Sequence, residues 1–73
     1  MNDADLEHLQ EFMDIMSADV LRTRNDIGSM AESPRAASMR LWAFRANLRE
    51  AARSLKLAQD FMDAANAILE DEK

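Results

Sequence analysis

The fold class this sequence predicts is all-α: an antiparallel helical hairpin with a longer second helix, oligomerising into a helical bundle. Three observations carry that prediction. The chain has 73 residues with one glycine, one proline and no cysteine, and is rich in alanine, leucine, methionine, arginine and glutamate, all good helix formers. Leu41, Leu48, Leu55, Met62 and Leu69 recur at every seventh position, and Phe44, Ala51, Ala58 and Ala65 stand three places after the first four. That is a heptad seam, which needs a facing helix. Upstream, Leu6, Leu9, Met13, Met16, Val20, Thr23, Ile27 and Met30 repeat the same three–four spacing and supply one.

The first helix is expected over about 4–27. Asp3 or Asp5 can cap it, and acids in the first turn suit the positive end of the helix dipole. Arg22 and Arg24 suit the negative end, and Gly28 is the natural left-handed residue after it. Residues 28–33 form the turn. Ser33-Pro34 then reads as N-cap followed by the first helical position, opening a second helix over about 34–70. The alternative, one rod kinked at Pro34, places an interior proline at a cost of about 3 kcal/mol. The chain is thus a single domain, 1–73.

Lengths sharpen the expectation. At 1.5 Å per residue the first helix spans roughly 37 Å and the second roughly 55 Å. Pairing outward from the turn sets Val20 near Leu41, Met13 near Leu48 and Leu6 near Leu55, so residues beyond Gln59 have no first helix to lie against. That overhang remains apolar, and Leu57, Phe61, Ala64 and Ile68 add a second stripe beside the seam. So wide an apolar face is expected to be buried. Leu57, Phe61, Met62, Ala65, Ile68 and Leu69 are therefore the candidate partner-binding residues. Trp42 joins them, because tryptophan is enriched at binding hot spots; the other reading is that it covers the turn by packing on Met30 or Met39. Alanine at Ala51, Ala58 and Ala65 allows close helix approach. Met13, Met16 and Met62 read as core, and Met39 as part of a partner surface.

A domain this small usually needs disulfides, metal or association to complete its core. No cysteine and a single histidine leave association. The expected partner is a protein, either a second copy as homodimer or higher oligomer or a larger protein. No cofactor and no metal are expected.

Charge falls in blocks. Residues 1–21 carry six acids and no base, 22–56 eight bases and three acids, and 57–73 five acids and one lysine. A hairpin then has a basic turn end and an acidic open end, with Arg49, Arg53 and Lys56 expected near Glu7, Glu11 and Asp14. The same blocks favour antiparallel dimers. Arg40, Arg45, Arg49 and Arg53 form a basic flank and are candidate phosphate contacts for RNA or DNA. A net charge of −5 and the lack of aromatic platforms or a basic tail weigh against nucleic acid. His8 with Glu7 and Glu11 reads as a solvated face. No nucleophile–base pair, glycine loop or paired buried carboxylates can be assembled, so an enzyme is not expected. No apolar run reaches the roughly 20 residues of a membrane span, and the acidic start lacks the pattern of a signal peptide. The expected compartment is the cytoplasm.

In architecture, the alanine-bearing seam resembles bacterial plasmid copy-control hairpins, which form four-helix bundles and bind RNA. Ser33-Pro34 and the stretch from Ser54 to Leu69 resemble the small hairpin subunits and co-chaperones of bacterial secretion systems. The leading expectation is a non-enzymatic adaptor, chaperone or inhibitor that self-associates or docks its C-terminal helix on a partner. A nucleic-acid-binding regulator and a secretion-system subunit are the alternatives.

Overall fold

The computed structural model describes residues 2–72. It holds three helices: α1 (Asp3–Ala31), α2 (Pro34–Ser38) and α3 (Trp42–Asp71). The chain is an all-α antiparallel hairpin of α1 and α3, with α2 as a short cap over the turn. Its extents are 54 × 15 × 10 Å.

The Asn2 side chain, rather than an aspartate, caps α1, its Oδ1 accepting from the Asp5 amide at 2.8 Å. Asp3 and Asp5 still occupy the first turn, where the amide ends favour negative charge. The helix does not stop at Gly28. No glycine has a positive φ, and α1 continues to Ala31, with the Glu32 amide donating to Gly28 O at 3.1 Å. A glycine permits a left-handed exit but does not impose one. The stop comes from Ser33-Pro34, because the residue before a proline is driven out of helical conformation. Ser33 is extended, and its Oγ accepts from the Ala36 amide at 3.2 Å.

The expected uninterrupted helix over 34–70 is broken at Met39–Leu41. Arg40 adopts φ 55°, the left-handed region. Its amide donates to Ala37 O at 3.1 Å and the Leu41 amide donates to Ala36 O at 3.4 Å. Those two bonds make a Schellman ending, with arginine where glycine usually stands. Ala36, beneath Leu41, is buried. No proline or glycine marks this break in the sequence.

The break changes the register. With α1 at 29 residues and α3 at 30, the second helix is longer by a single residue and the arms match. Arg24 Nη1 donates to Gln59 Oε1 at 3.0 Å, and Gln10 Nε2 donates to Glu70 Oε1 at 3.3 Å near the open end. The expected pairings of Val20 with Leu41, Met13 with Leu48 and Leu6 with Leu55 therefore do not form. The overhang beyond Gln59 does not exist either, since α1 accompanies α3 to its end. Among the described residues only Leu6, Ala31 and Ala36 are buried.

Candidate functional site

Each long helix turns one heptad column squarely to the other. On α1, Met13, Val20 and Ile27 are half-buried in line with buried Leu6; on α3, Leu48, Leu55, Met62 and Leu69 are half-buried. Those columns match the sequence pattern. The second column does not. On α1 the further half-buried positions are Gln10, Ser17 and Arg24, in line with buried Ala31, whereas Leu9, Met16 and Met30 are exposed. On α3 the half-buried positions include Arg45, Ala52, Gln59 and Asn66, whereas Phe44 and Ala65 are exposed. Ala51 and Ala58 remain half-buried at the seam's edge. Both helices are thus rotated about their axes, so that the polar edge of each stripe closes the seam and the apolar edge faces outward.

Helical geometry sends the two apolar edges to the same side of the hairpin. A step of three residues turns back about 60° from the seam column, and in antiparallel helices equal steps lead to the same face. Contacts bear this out at the turn end, where Met30 of α1 and Leu41 and Phe44 of the α3 arm line one cleft with Met39. The polar edges meet on the opposite side, in the Arg24–Gln59 and Gln10–Glu70 bonds.

The resulting face is apolar at both ends. Near the open end stand Leu9, Phe12 and Met16 of α1 with Phe61, Ala65 and Ile68 of α3; Phe61 is 69 % exposed and Ile68 64 %. Between the ends lie Thr23, Ala51, Ser54 and Ala58, with exposed Asp19 and Asp26 continuing the Phe12 column along the α1 margin. Leu57 is exposed at the outer margin, while Met62 and Leu69 belong to the seam. The six candidates on α3 therefore divide: Met62 and Leu69 hold the hairpin together, and Leu57, Phe61, Ala65 and Ile68 are presented outward. Leu9, Phe12, Ile15 and Met16 extend the outward surface onto α1, and sequence reasoning had not assigned them to it. Their signal was present in the i, i+3, i+7 spacing of Leu9, Phe12 and Met16. Phe12 also meets His8 edge-on, with ring centroids 5.1 Å apart.

The arginines are committed to the turn. Arg45 Nε donates to Ala31 O at 2.9 Å, and Arg45 Cζ lies 5.6 Å from the centroid of the Trp42 ring. Its side chain is only 13 % exposed. Arg49 Nε donates to Glu32 Oε1 at 2.8 Å, with Arg45 Nη2 3.6 Å from the other carboxylate oxygen. The hydrogen bond from Arg49 holds the Glu32 carboxyl below its ordinary pKa. Partial desolvation opposes that shift, and the charges of Arg49 and Arg45 reinforce it. Arg53 pairs with Glu50 and Lys56 with Asp60, along α3 rather than across to Glu7, Glu11 and Asp14 as expected. The register places those three acids at the far end. Of the candidate phosphate contacts, Arg45 and Arg49 thus converge on Glu32, Arg53 lies on Glu50, and Arg40 occupies the turn. Trp42 is exposed beside Arg45.

Among the described residues no group of three or more His, Asp or Glu side chains could hold a metal ion, and no helix is long and apolar enough to cross a membrane. No family model matches the chain, and neither a curated protein nor a solved structure matches it.

Proposed function

We propose that this chain is a non-enzymatic protein-interaction module whose working surface is the outward apolar face of the hairpin. The observation that supports it most is the set Leu9, Phe12, Met16, Phe61, Ala65 and Ile68, presented to solvent together by two helices. Contiguous apolar surface of that kind marks an interaction site. It supplies area but no chemistry: no buried polar or charged residue stands among the described residues. The adaptor, chaperone and inhibitor roles all use such a surface. Nucleic-acid binding draws less support, because Arg45, Arg49 and Arg53 are engaged by Glu32, Glu50 and a backbone carbonyl.

The test is site-specific photo-crosslinking in the cells that make the protein. A photoreactive residue at Ala65, on the face, should trap a protein. The same residue at Ala18, exposed on the other side of α1, should trap none. Equal labelling from both positions, or none from either, would overturn the reading.

A further inference from the structure

We propose that the occupant of this face is a second copy of the same chain, laid across it in the reverse direction to form an antiparallel four-helix bundle. The proposal rests on the reading above and adds the partner and its orientation.

Two independent observations support it. The first is the rotation of the helices. In an isolated hairpin, burial is greatest when each apolar stripe points straight at the other helix. In a four-helix bundle each helix has two neighbours, and its stripe points between them toward the bundle axis. Here both stripes are offset, and to the same side. Leu6, Met13, Val20 and Ile27 meet the hairpin partner, while Leu9, Met16 and Met30 look away from it. On α3 the two ends of the companion column, Phe44 and Ala65, turn outward, while Ala51 and Ala58 stay half-buried at the seam's edge. This is the arrangement of half a bundle. A chain with three buried residues among those described also has the thin core that association ordinarily completes.

The second observation is charge. In this register residues 2–21 and 57–72, with six and five acids and no base, lie side by side at the open end. The middle block, 22–56, with eight bases and three acids, forms the turn end; most of its bases lie on the polar side or are paired within the hairpin, and Arg35 borders the outward cleft. Two hairpins stacked in the same direction would set acid on acid and base on base. Reversal brings each acidic open end over the turn-end cleft that Arg35 borders, and charge complementarity fixes orientation and suppresses the wrong one. Reversal also matches the apolar relief. The aromatic and aliphatic group at the open end, Phe12, Phe61 and Ile68, comes over the cleft lined by Met30, Met39, Leu41 and Phe44 at the turn end. The small middle, Ala51, Ser54 and Ala58, then meets its own copy. Such an interface is two-fold and closed, so it ends at a dimer.

Sedimentation of the full chain at tens of micromolar is expected to give twice 8.3 kDa. A spin label on Ala37→Cys, at the tip of the hairpin, then reads the orientation. Reversed copies place the two labels more than about 40 Å apart, approaching the 54 Å length of one hairpin. Copies in the same direction place them within about 25 Å, roughly two helix diameters. A dimer with the short distance overturns the orientation and leaves the interaction face standing. A helical monomer overturns the second copy, and photo-crosslinking at Ala65 then decides the face separately. A Phe61→Ser/Ile68→Ser chain that remains dimeric overturns the interface, and because the distance is read on a chain with an intact face, loss of folding in that variant does not obscure the result.

Discussion

Arg24 and Gln59, thirty-five positions apart, meet through a 3.0 Å bond from Nη1 to Oε1. That contact marks the polar side of the seam and sets the register. It ties the last third of α1 to the middle of α3, on the side away from the exposed apolar edges.

The bond is part-buried, so it should be measurable. A double-mutant cycle with Arg24→Ala and Gln59→Ala is expected to show coupling of about 0.5–1.5 kcal/mol in chemical unfolding. Additive single effects would mean that the two residues do not meet in solution.

Gly28 lies inside α1, and an added Cβ there would meet nothing within 4 Å. Gly28→Ala should therefore stabilise the hairpin by up to about 1 kcal/mol, a rise of roughly 4–8 °C in melting temperature for a domain of this size. A lower melting temperature would indicate that Gly28 ends the helix in the left-handed conformation its sequence position suggests.

Arg40 carries a side chain at φ 55°, where L-residues are disfavoured by about 1–2 kcal/mol. Arg40→Gly should stabilise by about 0.5–1 kcal/mol after the extra freedom of glycine in the unfolded chain is deducted. Calorimetry would show it. Destabilisation would mean that the Arg40 side chain holds the turn by contacts of its own.

Glu32 titrates below its ordinary value, chiefly because Arg49 donates a hydrogen bond to it. A carboxyl depressed in the folded state contributes stability above its unfolded pKa and loses it as pH falls through the folded pKa. Carbon-detected NMR should place the Glu32 midpoint below that of an unpaired glutamate, and Arg49→Met should move it upward. An unmoved midpoint would contradict the pairing. Glu32→Gln should correspondingly flatten the acid side of the stability profile.

Much of the fold was legible from periodicity. The columns Leu6, Met13, Val20, Ile27 and Leu48, Leu55, Met62, Leu69 face each other as their sevenfold spacing required. What periodicity could not settle was the companion column. Steps of three and of four from the same residue are both compatible with a heptad, and composition favoured Leu9 and Met16 over Gln10 and Ser17. The register was misread for a different reason. The Met39–Leu41 break has no glycine or proline to announce it, so the second helix looked continuous and its end unpaired. Phe61 and Ile68 were singled out on the premise of an overhang; they are exposed because they lie on the outward edge of a fully paired helix.

The central claim is that this outward edge is covered by another copy, and hydroxyl-radical footprinting of the purified chain reads it most directly. Leu21, 44 % exposed on the polar side of α1, serves as the internal reference. At tens of micromolar, Phe12, Phe61 and Ile68 should be modified several-fold more slowly than their exposure in a single hairpin implies, recovering on dilution, while Leu21 is modified at its full rate throughout. Phe61 and Ile68 modified as readily as Leu21 at every concentration would contradict the account.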